Sequence, residues 1–280
     1  AGIRLTLLHT VYVRGGFGKA ATDGQRRFLT KTLDEVDAQL DRLAPLVDGT
    51  RTRLGLAIHS VRAVPEAWLA PLAQRARDLG LPLHLHAAEQ TGEVDQCRAA
   101  TGLTPVALLA QNGVLSPRTT IVHGTWLDDA DVALLAESGT TVALCPTTES
   151  DLGDGIPRVA DLFAAGVPLA IGTDSHAVLD PFVELRQVES LARLATRKRC
   201  ILADATGAVA PVLQQIGTTN GYRCLDLDAS GDTVTLDTTD RVFEGTRDHR
   251  AVALTSGHRG LVSQVTVRGE RIVDGGRWLG

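Results

Sequence analysis

Apolar residues fall along the chain in two alternating rhythms. Short, near-continuous apolar runs occupy Arg4–Val13, Arg53–Val61, Leu81–Ala88, Thr119–His123, Thr140–Cys145 and Val167–Ile171. Such runs predict strands covered on both faces. Between them, apolar positions recur at helical spacing over Gln25–Leu46, Pro65–Leu79, Glu93–Cys97, Pro105–Gln111, Asp128–Glu137 and Val159–Ala164. Val183, Leu185, Val188, Leu191 and Leu194 predict a further helix from Pro181 to Ala195. Gly or Pro marks the ends, as in Gly80-Leu81-Pro82 and Gly166-Val167-Pro168.

Strand-then-helix repetition predicts a parallel sheet with right-handed crossovers. An open doubly wound sheet and a (β/α)8 barrel both fit that pattern. The strand ends favour the barrel. Tyr12, His59, His84 with His86, His123, Cys145 to Glu149, and Asp174 follow six successive strands. A TIM-type barrel draws its site from many strand ends, whereas an open sheet concentrates it at one switch point. From about Thr196 the pattern changes. A helix around Leu202–Ile216 precedes short β-like pieces at Thr233–Leu236, Arg250–Thr255, Val262–Val267 and Glu270–Val273, the last two joined at Arg268-Gly269. The expected division is an incomplete barrel over residues 1–225 and part of a small β-domain over 226–280.

Composition narrows the function classes. The 280 residues are 44% hydrophobic and carry a net charge of −5, so no basic surface for nucleic acid or membrane is expected. The apolar runs are strand-sized, too short for a transmembrane helix. Cys97, Cys145, Cys200 and Cys224 lie far apart without a CxxC pair, which suits free thiols in a cytoplasmic setting. There is no G-x-S-x-G elbow, no phosphate-binding glycine loop and no P-C-x-x-C deaminase signature.

The chemistry concentrates at four places. In His84-Leu85-His86-Ala87-Ala88-Glu89 the two imidazoles share one strand face. At a barrel mouth they suit metal ligation, with Glu89 folding back as a proton carrier; two hydrogen-bonded core histidines are the alternative. Asp174, ending Leu169-Ala170-Ile171-Gly172-Thr173, suits a metal ligand that accepts a proton from water, or a helix cap. His123 adds a second imidazole. Arg62, beyond the second strand in His59-Ser60-Val61-Arg62, suits a carboxylate clamp through its planar fork, or is a loop arginine in solvent. Tyr12 is a weaker candidate, and His9, His249 and His258 are read as structural. Taken together, the set matches metal-assisted hydrolysis.

These residues resemble the deaminase branch of the amidohydrolase superfamily. The carriers are His86-x-x-Glu89, His123 and Gly172-Thr173-Asp174-Ser175. Within that branch, four stretches resemble the N-formimino-L-glutamate deiminases: His59 to Val64, Leu144 to Ile156, Glu184-Leu185-Arg186, and Val13 to Gly18 followed by Gln25-Arg26-Arg27-Phe28. The resemblance covers most of residues 5–200. It implies a (β/α)8 TIM-type barrel with one divalent metal, usually zinc, with iron also compatible. It implies hydrolysis of N-formimino-L-glutamate to N-formyl-L-glutamate and ammonia in histidine breakdown. His86 and Asp174 would be metal ligands, Asp174 and His123 would take the proton from water, and Glu89 would carry it to the departing nitrogen. His59, Arg62 and Tyr12 would hold the glutamate end. A homodimer is the superfamily expectation. The competing activities are deamination of a purine or pyrimidine ring and an inactive fragment.

One departure stands out. The superfamily's metal site also takes a His-x-His pair from the first barrel strand, and the only such pair here is His84/His86, which falls on the fifth. The six strands therefore correspond to barrel strands three to eight. The first two strands are expected to precede Ala1, which makes the chain N-terminally truncated.

Overall fold

A computed structural model describes residues 2–280. Six parallel strands form one sheet: β1 (Leu5–Val11), β2 (Thr52–Ser60), β3 (Leu83–Ala87), β4 (Thr119–His123), β5 (Thr141–Leu144) and β6 (Leu169–Ile171). Each strand pairs with its sequence neighbour, in the order β1-β2-β3-β4-β5-β6. A doubly wound sheet would reverse direction at a switch point; this monotonic order is that of a barrel wall. The fold is α/β, with the six strands standing as part of a (β/α)8 wall.

The helices α1 (Leu33–Leu43), α2 (Glu66–Asp78), α3 (Thr91–Thr101), α4 (Pro105–Gln111), α5 (Asp129–Ser138), α6 (Pro146–Leu152), α7 (Val159–Ala164) and α8 (Pro181–Thr196) follow the strands. Strand alternation divides the two faces. Leu56, Ile58, Leu83, Leu85, Ile121, Val142, Leu144 and Leu169 pack outward under Leu69, Leu72, Leu109, Leu135, Leu162 and Val188. These side chains build the core. Burying one such side chain contributes about 1.5–3 kcal/mol.

Residues of the opposite parity point to the concave side. At its base, His84 Nε2 meets the Cys224 carbonyl oxygen at 2.7 Å and Thr6 Oγ1 donates to the Leu225 carbonyl at 2.6 Å. Asn220 Nδ2 also donates to the Leu169 carbonyl at 2.7 Å. The end of α10 (Thr219–Cys224), which follows α9 (Ala210–Gly217), thus plugs the N-terminal end of the wall.

The antiparallel strands β7 (Thr233–Leu236), β8 (Val262–Val267), β9 (Glu270–Asp274) and β10 (Arg277–Trp278) form a second sheet in the order β10-β9-β8-β7. Three predicted elements shift, one strand and two helices. Arg250–Thr255 is not a strand but part of α11 (His249–Ser256), because Asp248 caps the Ala251 N–H at 2.9 Å and Ala253 packs inward beside Phe243 and Leu261. This helix lies against α8 and α9. The predicted helix over Leu202–Ile216 begins only at Ala210, because Asp204 takes the Thr206 and Ala208 amides in a turn. The run Gln25–Leu46 is broken at Thr32, whose extended backbone caps Glu35 and starts α1 afresh.

Candidate active site

Seven sequence-selected side chains gather at the C-terminal ends of the strands. Tyr12, His59, His86 and His123 form a row of rings across four neighbouring strands. Their centroids are 4.7, 5.1 and 5.6 Å apart in turn. Parity alone places His59 and His86 on the concave side. It does not place His123, which shares its parity with the outward-facing Ile121. A left-handed φ of 75° at His123, followed by 61° at Gly124, turns the ring into the mouth. Ala88 (φ 54°) and Asp174 (φ 36°) are bent in the same sense. Such backbone costs about 1–3 kcal/mol per residue and concentrates at functional sites.

His123 is the hub and is fully buried. Its Nε2 lies 3.7 Å from Glu89 Oε1 and 3.7 Å from Asp174 Oδ2. Its Nδ1 lies 3.3 Å from Glu149 Oε1. Burial alone would lower its pKa, but Glu149, Glu89 and Asp174 together outweigh burial and raise it. Glu89 Oε2 stands 3.7 Å from Arg62 Nη2, so this carboxylate borders the cation on the neighbouring loop. His59 is pushed down to about 4 by burial first, then by His86 and Arg62. It is therefore a neutral ring at physiological pH.

His86 Nδ1 meets the His59 carbonyl oxygen at 2.7 Å. A carbonyl only accepts, so Nδ1 carries a proton, and the tautomer of the neutral ring that this selects presents its lone pair at Nε2. That arrangement is the usual one for a metal-ligating histidine. The lone pair faces Asp174 Oδ1 at 4.0 Å. One imidazole nitrogen and one carboxylate oxygen form a donor pair suited to zinc or iron. Among the described residues no group of three His, Cys, Asp or Glu side chains is placed to hold an ion. His86 and Asp174 thus fit part of a coordination shell. His84, on the same strand face, is sealed at the base by Cys224 and lies outside the site.

The sequence pattern of the Amidohydrolase family matches residues 1–234. The chain belongs to the amidohydrolase family. Formimidoylglutamate deiminase of Pseudomonas aeruginosa is 42% identical over 200 residues, covering 71% of this chain and 44% of that one. The 5-methylthioadenosine/S-adenosylhomocysteine deaminase of Natronomonas pharaonis is 34% identical over 232 residues, covering 82% and 50%. The chain therefore spans about half the length of these curated relatives. Among solved structures, an amidohydrolase from Brucella melitensis superposes with a TM-score of 0.90 at 33% identity, covering 99% of this chain and 63% of that one.

Three residues assigned no role from the sequence shape this amidohydrolase site. Glu149, buried on α6, accepts the Cys145 amide at 2.9 Å while facing His123. Thr148 Oγ1 accepts the Ser175 amide at 3.1 Å and donates to the Thr173 carbonyl at 3.2 Å, which fixes the backbone on both sides of Asp174. Glu93, buried on α3, accepts the Glu89 amide at 3.1 Å. The sequence signal for the first two was the Pro-Thr-Thr-Glu turn after β5; Glu93 gave none beyond its place in the first turn of a helix. Gly172 has a steric reason: a Cβ there would stand 3.0 Å from Cys145 Sγ.

Proposed function

We propose that this chain carries the substrate-binding and proton-handling part of a hydrolase that converts N-formimino-L-glutamate to N-formyl-L-glutamate and ammonia. One observation carries the reading: a guanidinium, Arg62, stands at the same mouth as the proton-handling set, 3.7 Å from Glu89. A substrate with carboxylates needs such a cation; a neutral purine ring does not. The 42% identity to formimidoylglutamate deiminase supports the same choice.

His86 and Asp174 would hold a divalent ion, zinc or iron, which supplies acidification of water and polarisation of the reacting group. The protein's side chains do the rest. Arg62, His59 and Tyr12 bind and orient the glutamate end. His123, held by Glu149 on one edge, and Asp174 take the proton as water adds to the formimino carbon. Glu89, 3.7 Å from His123 Nε2, delivers the proton to the terminal nitrogen, which leaves as ammonia as the carbonyl forms. A cytoplasmic setting accords with four unpaired cysteines, and no helix among the described residues is long and apolar enough to cross a membrane.

The test is ammonia release from N-formimino-L-glutamate, with 5-methylthioadenosine as competitor substrate, by protein loaded with zinc. Arg62→Ala should raise KM for the acid about 10- to 100-fold, the loss of a charged hydrogen bond worth about 1.5–3 kcal/mol. Turnover of the purine alone, or an acid reaction indifferent to Arg62→Ala, would reject the reading in favour of a ring deaminase. No turnover with either, together with no zinc uptake, would mark the chain as an inactive fragment.

A further inference from the structure

Beyond Tyr12, the loop after β1 has no role in the steps above, yet it is tied to the site at four points. Its backbone at Val13 and Arg14 donates to the Ala63 carbonyl, each at 2.9 Å. Arg14 Nε donates to the Arg62 carbonyl at 2.9 Å and Nη2 to the Val61 carbonyl at 3.2 Å. The loop thus grips the turn that carries Arg62. Gly15 lets it fold tightly: a Cβ there would lie 2.5 Å from the Ala20 carbonyl oxygen and 3.0 Å from Gln25 Oε1. That fold brings Gln25 to Tyr12, with Nε2 to Oη at 2.8 Å.

The direction of this hydrogen bond is fixed by the backbone. The Thr22 amide lies 2.8 Å from the other end of the Gln25 side chain and can only donate, so the atom facing it is Oε1. Nε2 is then the atom at Tyr12, and it donates to the phenol oxygen. The Tyr12 hydroxyl keeps its own proton, which meets no acceptor among the described residues. Tyr12 sits edge-on to His59, three residues before Arg62.

We infer that Gln25 is a specificity-determining positioning residue that sets Tyr12 as a hydrogen-bond donor toward a carboxylate of the bound acid, beside Arg62. The inference rests on the proposed acid substrate and adds to it the residue that orients Tyr12. A phenol polarised in this way favours a group that only accepts, an ionised carboxylate, over a ring edge that also donates.

Calorimetric titration of the 280-residue protein with glutarate tests it. Gln25→Glu keeps an acceptor for Thr22 but offers its second oxygen to the Tyr12 proton, which reverses the relay. It should weaken glutarate binding about tenfold or more. Tyr12→Phe should weaken it by a similar factor, and the double variant should bind no more weakly than Tyr12→Phe alone. Wild-type affinity in Gln25→Glu, losses that multiply in the double variant, or no glutarate binding by the wild type would each overturn the inference. Glutarate binding with these effects but no ammonia from N-formimino-L-glutamate would sink the proposed reaction and leave the relay standing. Ammonia release indifferent to both substitutions would do the reverse.

Discussion

Glu93→Gln should make the protein more stable at alkaline pH and not at acid pH. Glu93 is only 3% exposed, and its Oε1 is buried without a hydrogen-bond partner. Burial, opposed by the nearby Arg62 and the Glu89 amide, pushes its pKa from 4.5 up to about 7. The folded state therefore holds this proton more tightly than the unfolded chain. Below the unfolded value both states are protonated and the group costs nothing. As pH rises through both values, ionised Glu93 burdens the folded state by about 3 kcal/mol, at about 1.4 kcal/mol per unit. Of that, about 2.5 kcal/mol develops between pH ~5 and pH ~8. Glutamine preserves the shape and the acceptor for the Glu89 amide but cannot ionise. Urea unfolding followed by tryptophan fluorescence, run on both proteins across that range, measures the difference. The stability gap should open by about 2–3 kcal/mol toward high pH, a large share of a typical ~5–15 kcal/mol total. A gap that stays flat, or opens toward low pH, would refute the account of Glu93 as a buried carboxyl strained by ionisation.

Two further outcomes follow from the same geometry. Glu149→Ala strips the acceptor from the buried Cys145 amide and from the edge of the buried His123 ring, at about 1–3 kcal/mol each, so urea unfolding should show a loss of about 2–5 kcal/mol; Glu149→Gln, which keeps an acceptor for Cys145, should lose less, and an alanine variant within about 0.5 kcal/mol of wild type would contradict the hydrogen-bond assignment. His86→Ala and Asp174→Asn should each weaken zinc binding about tenfold or more in competition with a chromophoric chelator, because each removes a donor from the pair; unchanged affinity in either variant would place the ion elsewhere.

The sequence by itself determined the architecture. Apolar runs and helical spacing are local consequences of backbone geometry, and all six strands of the wall were legible from them. So was the face on which His59 and His86 lie, because alternation is built into a strand. The gathering of the strand-end imidazoles and carboxylates at one mouth was legible too, since a barrel wall draws its site from many strand ends.

The tertiary structure decided what parity and propensity could not. His84 shares its face with His86, yet the Cys224 carbonyl, 140 residues away in sequence, claims it at the base of the wall. His123 enters the mouth only because its backbone turns left-handed, a strain that the surrounding packing sustains. The Arg250–Thr255 segment has a strand's composition but becomes helical because Asp248 caps it and α8 and α9 receive it. Glu149, Glu93 and Gln25 had no individual role legible in the sequence. Their importance comes from what a fold alone can bring near: an imidazole, the Glu89 amide and a phenol.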